Sequence, residues 1–546
     1  MPKKVIIIGG GVAGMTAAHE LGARGFHVVV YELRNIPGGK ARSFKNPNPD
    51  PAVHDCPGEH GFRFFPGFYK HIPDTMKRIP LGDGRTVLDN LTQSTRIEMV
   101  REGAPALIQP AQFPRSAGEV ELDLRAIWAF ETQLGLTIGD QIHFSDLLGK
   151  LLCACERRRF EQFENQSWWD FSGASSRSEA YGTYMADGLT RTLVAARARD
   201  MSARTGGYII LQLLQDMLQP GMQVDRVLNA PTNDAWIDPW LRHLRLLGVD
   251  YRLSHRVEAV HSQGREVTGV SGHQITWPQQ QVTVSFEDTA DYYIAAVPVE
   301  VMQTQSALDI PLKRDVPELG KLDKLVYRWM NGIVFYLRED VPLVHGHLVF
   351  IDSAWSLTAI SQRGFWPDVN FSQFGDGHVG GILSVDISDW QTNGCYAAKG
   401  KPADECTEDE IKAEVWEQLK AALNFSEEVL RDENMIDGFL DPDIVEPNHG
   451  NTVTNLEPLL VNETGSWANR PDPALPEVPN LFLAADYVRT YTDLATMEGA
   501  NEAARRAVNA ILNAEGSSEE RCELWKLHEL GGPFAVGRMV DGLLYR

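Results

Sequence analysis

Apolar positions change their period three times between Val5 and Glu32. Residues 5–8 form an unbroken apolar run, Val5, Ile6, Ile7 and Ile8, which predicts a short strand buried on both faces. Residues 12–23 are rich in Ala, Met and Leu and predict a helix. Residues 27–32, dominated by Val28, Val29 and Val30, predict a second strand. Strand, glycine turn, helix and strand in this order make a βαβ unit with a right-handed crossover. The alternation returns far down the chain. Thr232 and Asn233 stand as cap residues before a helix that runs to Leu247, Gly248 ends it, and residues 249–253 resume a strand. Further strands are predicted within 281–297, ending at Ile294, Ala295, Ala296 and Val297. A last return comes at 481–484, followed by a helix over about 496–512.

This interrupted pattern predicts an α/β protein: one nucleotide-binding domain in three separated pieces, with an α+β substrate domain inserted between them. The boundaries read from the chain are 1–85, 223–300 and 451–515 for the nucleotide-binding domain. The substrate domain takes 86–222 and 301–450, and 516–546 is a C-terminal extension. The region between 85 and 220 reads as mainly helical. The stretch 208–217, with Ile209, Ile210, Leu211, Leu213 and Leu214, is either a buried helix of the second domain or one that dips into a membrane. The C-terminal extension is weakly amphipathic and carries no role that the sequence assigns.

Length and charge narrow the class. A chain of 546 residues exceeds what one hydrophobic core organises. A formal charge of −23 excludes a nucleic-acid partner, because phosphate binding needs a dense Lys/Arg surface. It also opposes broad docking on an anionic membrane, and leaves open a local apolar patch that inserts. The six cysteines are scattered. Only Cys153 and Cys155 are close, and their spacing lacks the paired ligands of a zinc site, so no metal is expected. Reduced thiols point to a cytoplasmic protein, with peripheral membrane contact left open. Lys3 and Lys4 precede the first apolar run, but Gly9, Gly10 and Gly11 break it before it resembles a signal peptide. No apolar stretch is long enough to predict a membrane span.

Candidate chemistry starts at Gly9, Gly11 and Gly14, a G-x-G-x-x-G between the first strand and helix. The first glycine permits the turn, the second lets a pyrophosphate approach the backbone, and the third lets helix and strand pack closely. Three glycines alone are weak evidence. Their place before the helix start at Val12 and Ala13, and the acid Glu32 ending the second strand, make a dinucleotide site. Glu32 is placed to accept from ribose hydroxyls. What separates FAD from NAD is the next stretch: Leu33, Arg34, then Gly38, Gly39, Lys40, Ala41 and Arg42. Its glycine doublet allows close backbone approach, and Lys40 and Arg42 can meet phosphate charge.

With those residues in hand, the chain resembles the flavin amine oxidase and carotenoid desaturase superfamily. The resemblance is closest to plant- and cyanobacterial-type phytoene and zeta-carotene desaturases. It implies a Rossmann-like FAD-binding domain of the glutathione-reductase type. It extends to Gly58-Glu59-His60 followed by aromatics, to Val257, whose backbone would meet the adenine, and to Leu483-Ala484-Ala485-Asp486-Tyr487, where Ala485 replaces the usual glycine. The last matching block is Thr496-Met497-Glu498-Gly499-Ala500. There the resemblance implies that Asp486 holds a cofactor hydroxyl, and that Thr496, Met497 and Ala500 head the helix facing the flavin. The motifs cover the flavin domain only, and none falls in the middle of the chain.

The implied reaction is hydride transfer to flavin N5 from a polyene or other lipid-like molecule, in the manner of a desaturase or dehydrogenase, with oxygen or a quinone as electron acceptor. Amine or amino-acid oxidation, and isomerisation without net oxidation, are the alternatives. Amine oxidases of the superfamily commonly place an aromatic residue before Met-Glu-Gly-Ala, where this chain has Thr496. Tyr487 or Tyr491 remains as an aromatic wall. The run Phe62, Phe64, Phe65, Phe68 and Tyr69 reads as core packing or as the wall of a long apolar channel. His60 and Arg63 are the candidate catalytic residues. His60 serves as a base or orients its loop, and Arg63 binds phosphate or carboxylate. Covalent flavin attachment is left open by Cys56 alone.

Overall fold

The protein is described by a computed structural model covering residues 2–61, 64–111, 133–188, 196–218, 223–277, 279–446 and 452–545. Two sheets organise it. The first has six strands in the order Ala474–Leu475, Val478–Leu483, Tyr292–Ala295, Lys4–Ile8, His27–Tyr31 and Asp250–Arg252. All neighbours are parallel except the first two. Three distant stretches of chain therefore meet in one sheet. Its central strand alternates: Val5 and Ile7 enter the apolar cluster on one face, and Ile6 and Ile8 that on the other. The helix Val12–Ala23 covers the first face beside Met497–Ala514. Glycines stop the helices Val12–Ala23 and Asp238–Leu246: Gly25 and Gly248 take φ of 78° and 79°.

The second sheet has seven strands, in the order Met435–Leu440, Asn331–Leu337, Gly381–Ile387, Leu357–Ser361, Gly346–Phe350, Arg96–Arg101 and Ala104–Pro110. Ile333, Phe335 and Leu337 face one core, Val334 and Tyr336 another, so this sheet too is covered on both sides. The first of these cores is closed by the helix Glu408–Leu423. The strands Arg96–Arg101 and Ala104–Pro110 correct the helical reading of the region after residue 85. Arg96-Ile97-Glu98-Met99-Val100 alternates at period two, and it becomes a strand by pairing in parallel with Gly346–Phe350, a segment remote in sequence. That partner is invisible to local pattern.

A helical layer completes the molecule. The helices Ile138–Cys153 and Ala203–Leu218 share a core of Leu147, Leu151, Trp168, Ile210 and Leu211. Residues 208–217 are all buried or half-buried against protein, which settles that helix as an internal one. Among the described residues, no helix is long and apolar enough to cross a membrane. The three-stranded meander His255–Gln263, Glu266–Thr276 and Gln281–Asp288 stands beside the parallel sheet.

Candidate active site

The site begins where the first strand ends. Gly9 has φ of 102°, and a Cβ there would sit 2.5 Å from the Ala296 carbonyl oxygen. A Cβ at Gly14 would run into the Gly9 carbonyl oxygen, so the third glycine is required by helix-on-strand packing. The helix Val12–Ala23 has Gly11 as its N-cap, which offers no side chain to the first amides. Those N–H groups and the helix dipole are thereby left for an anion. Glu32 is buried beside them. Its carboxylate accepts from the Gly10 and Arg34 amides, each at 2.7 Å. Burial pushes its carboxyl above the usual range in spite of these donors.

Gly38 and Gly39 press against the fingerprint. Both have positive φ, and a Cβ on Gly39 would meet the Gly11 Cα at 2.8 Å. The cations of this stretch have a different use from the one expected. Lys40 lies 2.6 Å from Glu300, and Arg42 is buried in ion pairs with Asp443 and Glu457, shared with Arg34. Burial alone would lower Lys40, but Glu300, Asp486 and Glu457 raise it above the ordinary lysine value. Burial likewise opposes ionisation of Glu457, yet Arg42, Arg34, His60 and Lys40 together pull it well below the carboxylate range. Both cations are therefore drawn to carboxylates far down the chain, and they tie the glycine loop to those segments.

The strand Pro57–Glu59 brings the next block in. Glu59 accepts from the amide and hydroxyl of Thr232, at 2.9 and 2.8 Å, and so anchors the helical stretch that starts at Asn233. The His60 carbonyl accepts from the Gly332 amide at 2.7 Å. This contact joins the end of Pro57–Glu59, which pairs with Ser43–Lys45, to the second sheet, and it needs Gly332, whose Cβ would sit 3.1 Å from both the Glu59 and His60 oxygens. His60 Nδ1 lies 2.6 Å from Asp441 and 3.7 Å from Asp443. The ligating atoms of these three residues are within 4.8 Å of one another. Asp443 is already matched by Arg34 and Arg42, and Asp441 accepts from Asn331 and from the Asp443 amide. Arg63 and Phe62 lie outside the described residues.

From the other end of the chain comes the helix Met497–Ala514. Thr496 is its N-cap, its hydroxyl accepting from the Gly499 amide at 3.1 Å. Glu498 is buried and accepts from the Lys70, His71 and Ile72 amides and from His71 Nδ1. It thereby pins the start of the helix His71–Lys77 to the start of the flavin-block helix.

These pieces enclose a cavity of 1110 Å³. Gly9, Gly11, Val12, Ala13, Glu32, Leu33, Arg34, Gly38, Gly39, Lys40, Ala41, His60, Val257, Asp486, Thr496, Met497 and Ala500 all line it. Gly14 and Arg42 stand behind the wall, as do Gly58 and Glu59. Of the aromatic run, Phe64 and Tyr69 face the cavity, whereas Phe65 and Phe68 are in the core. Tyr487 is fully buried in the sheet core and Tyr491 is exposed under Arg506, so neither supplies the aromatic wall. Cys56 is buried, which pushes its thiol up to about 12 and removes it as a nucleophile.

The sequence reading missed the far end of this cavity. Three neighbouring strands present Asp386, Thr358 and His347 to it, with Ile97 and Val349 between. Asp386 and Thr358 are directly paired across the sheet. Asp225 joins them from the chain following 222. It accepts from Ser94 and, at 2.6 Å, from His347 Nδ1. Among the described residues, Asp225 Oδ1 and Thr358 Oγ1 are buried without a hydrogen-bond partner. No short motif marks these residues. Each stands alone in the sequence, and only the period-two register of the second sheet gathers them.

The family of flavin containing amine oxidoreductases matches this chain over residues 12–512, from the fingerprint helix to the last flavin-block helix. The chain belongs to that family. Its fold is shared with solved oxidoreductases at low identity. A putrescine oxidase triple mutant aligns with TM-score 0.60 and 13% identity, over 94% of this chain and 99% of that one. Cyclohexylamine oxidase from Brevibacterium oxydans IH-35A aligns with TM-score 0.57 and 14% identity over the same shares. An oxidoreductase from Methanosarcina mazei aligns with TM-score 0.56 and 12% identity, over 93% of this chain and 100% of that one. The family's cofactor is FAD, and the residues present fit it: two helix N-termini, a glycine cradle and the buried acid Glu32 border one cavity. The protein is an FAD-dependent oxidoreductase.

Proposed function

We propose that the protein dehydrogenates a largely apolar, lipid-like molecule that carries one polar end group. The observation behind this reading is the cavity's composition beyond the cofactor segments. Ile97, Met201, Met330, Val349, Leu460 and Leu494 give apolar walls, into which Asp225, His347, Thr358, Asp386 and Asn462 bring polar groups. Such a chamber orients a greasy body and fixes one end by hydrogen bonds. Thr496, where an aromatic would help to cage an amine, is used as a helix cap.

FAD, when bound, supplies the two-electron acceptor for a substrate hydride. The N-terminus of the helix Met497–Ala514 borders the cavity, and its uncapped amides and positive dipole end would stabilise negative charge on the reduced cofactor. Asp225 holds His347 through Nδ1, which leaves Nε2 as the basic nitrogen of the neutral ring. His347 is thereby placed to receive the substrate proton that departs with the hydride. His60, tied to Asp441, orients the loop between the two sheets.

The carboxylates Asp225 and Asp386 favour a second reading, in which the polar end is an ammonium group and the reaction is amine oxidation. The two are separated by mixing the yellow protein anaerobically with long-chain alcohols, polyenes and alkylamines and following flavin absorbance. Bleaching by the alcohol or polyene fraction is expected. Bleaching by amines alone would replace the first reading with the second, and a flavin that no long-chain donor reduces would remove both.

A further inference from the structure

The last helix, Pro533–Leu544, is docked inside out. Its small and polar side chains face the protein. A Cβ on Gly537 would lie 2.6 Å from Cys153 Sγ. Arg538 donates to the Leu152 carbonyl at 3.1 Å. Asp541 accepts from the Cys155 amide at 2.9 Å and from Arg158 at 2.7 Å. Phe534 shares that docked face, and the other large apolar side chains face out. Val536, Met539, Val540 and Leu543 recur at i, i+3, i+4 and i+7, one continuous helical stripe, and Leu544 adjoins it. All five are 44–74% exposed. A helix that spends its polar residues on docking and leaves a full apolar stripe to water has its partner elsewhere.

Three observations decide what that partner is. At these exposures the stripe presents roughly 500 Å² of contiguous apolar surface along one narrow ridge, the size of the patches that mark interaction sites. The charge around it departs from the rest of the molecule. In the framing segments 156–161 and 525–545, five Lys/Arg stand against four Asp/Glu. Arg157, Arg158, Arg159 and Arg538 are ion-paired with Glu161, Asp541 and Glu529, so this surface is close to neutral in a chain whose net charge is −23. It lacks the repulsion that the rest would meet at a lipid surface. At the helix end, Arg158 and Arg157 lie over the Tyr545 ring, 4.4 and 5.6 Å from its centroid, an amphipathic cluster suited to headgroup depth. Finally, the helix seats on Cys153, at the end of a helix whose Leu147 and Leu151 share one apolar cluster with Ala196 and Met201. Those last two residues line the cavity. One helical layer separates the stripe from the chamber.

We propose that Pro533–Leu544 is an interfacial docking helix that lies in the surface of a lipid bilayer, with Val536, Met539, Val540, Leu543 and Leu544 inserted among the acyl chains. It anchors the protein peripherally, beside the helical layer that backs the substrate chamber. Docking does not depend on which molecule the chamber oxidises.

Flotation of the full-length, FAD-loaded protein with phosphatidylcholine and with phosphatidylcholine–phosphatidylglycerol vesicles tests it. The protein is expected to float with both kinds of vesicle. Met539→Gln/Leu543→Gln/Leu544→Gln is expected to reduce partitioning at least about tenfold, with flavin content and melting temperature unchanged. A single Leu543→Asp variant reports the same surface with less risk to solubility, and its partitioning falls in the same direction. Protein that stays with the soluble fraction for both vesicle types would overturn the proposal. So would sedimentation showing a dimer that these substitutions turn into monomer, since the stripe would then be covered by a second copy.

Discussion

Individual side chains divide between holding the cofactor and holding the chamber. Glu32 is committed to the first task. Its carboxylate is already fixed by two backbone amides, so it is preset to accept from a ribose. Glu32→Gln keeps the shape, removes the charge and turns one acceptor into a donor. FAD affinity is expected to fall at least about tenfold, since hydrogen bonds to charged groups are worth roughly 1.5–3 kcal/mol. Equilibrium dialysis against FAD measures it. Asp225 belongs to the second task. Asp225→Asn is expected to leave flavin content unchanged and to slow anaerobic bleaching by any accepted donor at least about tenfold, because His347 loses the partner that sets its tautomer. Stopped-flow absorbance separates the two effects. Gly9, Gly11 and Gly14 are legible in the sequence as cofactor residues because their role is backbone geometry, which spacing encodes. Asp225 and His347 are not, because a lone acid and a lone histidine carry no spacing.

The helices act as units through their ends and their buried faces. Glu498 serves two of them at once. Glu498→Ala would strand the buried amides of His71 and Ile72, the His71 imidazole and the more exposed Lys70 amide, and a loss of about 3–5 kcal/mol in unfolding free energy is expected from chemical denaturation. The fingerprint helix Val12–Ala23 carries a pH dependence. His19 on it is buried, its Nδ1 accepting from Trp240 Nε1 at 3.2 Å. Burial, with Arg78 adding repulsion, pushes its pKa down to about 3. The folded value lies below the unfolded one, near 6.5. The neutral ring's contribution is therefore complete above pH 6.5 and is lost as pH falls toward 3. Between pH 6.5 and 4 this amounts to about 3 kcal/mol. His19→Gln, which keeps an acceptor for Trp240, is expected to flatten that part of the stability–pH curve, as urea titrations at several pH values would show.

At the scale of the molecule, the cofactor cavity is walled by both ends of the chain. Gly9 and Met497 line the same space, and Arg34 and Arg42 tie its glycine wall to Asp443 and Glu457. A ligand bound there stabilises the native state by mass action, by about 4 kcal/mol at a thousandfold excess over its dissociation constant. Protein stripped of FAD is expected to melt at lower temperature, and its melting point to climb with added FAD. Calorimetry across a range of FAD concentrations checks this. A melting point insensitive to FAD would mean that the cavity is not where the flavin sits.

The sequence alone determined the parallel βαβ framework, the glycine turn, the acid Glu32 at the end of the second strand and the helix start at Met497. Each is local: a period, a turn or a cap confined to one or two adjacent elements. It also marked the cations Lys40 and Arg42, but not their partners. The tertiary structure alone decided that these cations pair with carboxylates far down the chain, that residues 96–110 form strands, and that Asp225, His347, Thr358 and Asp386 share one chamber. It also decided that the last helix turns its apolar stripe outward. These outcomes depend on which distant segments pair, and the free energy of such pairing lies in contacts that neighbouring residues along the chain do not encode.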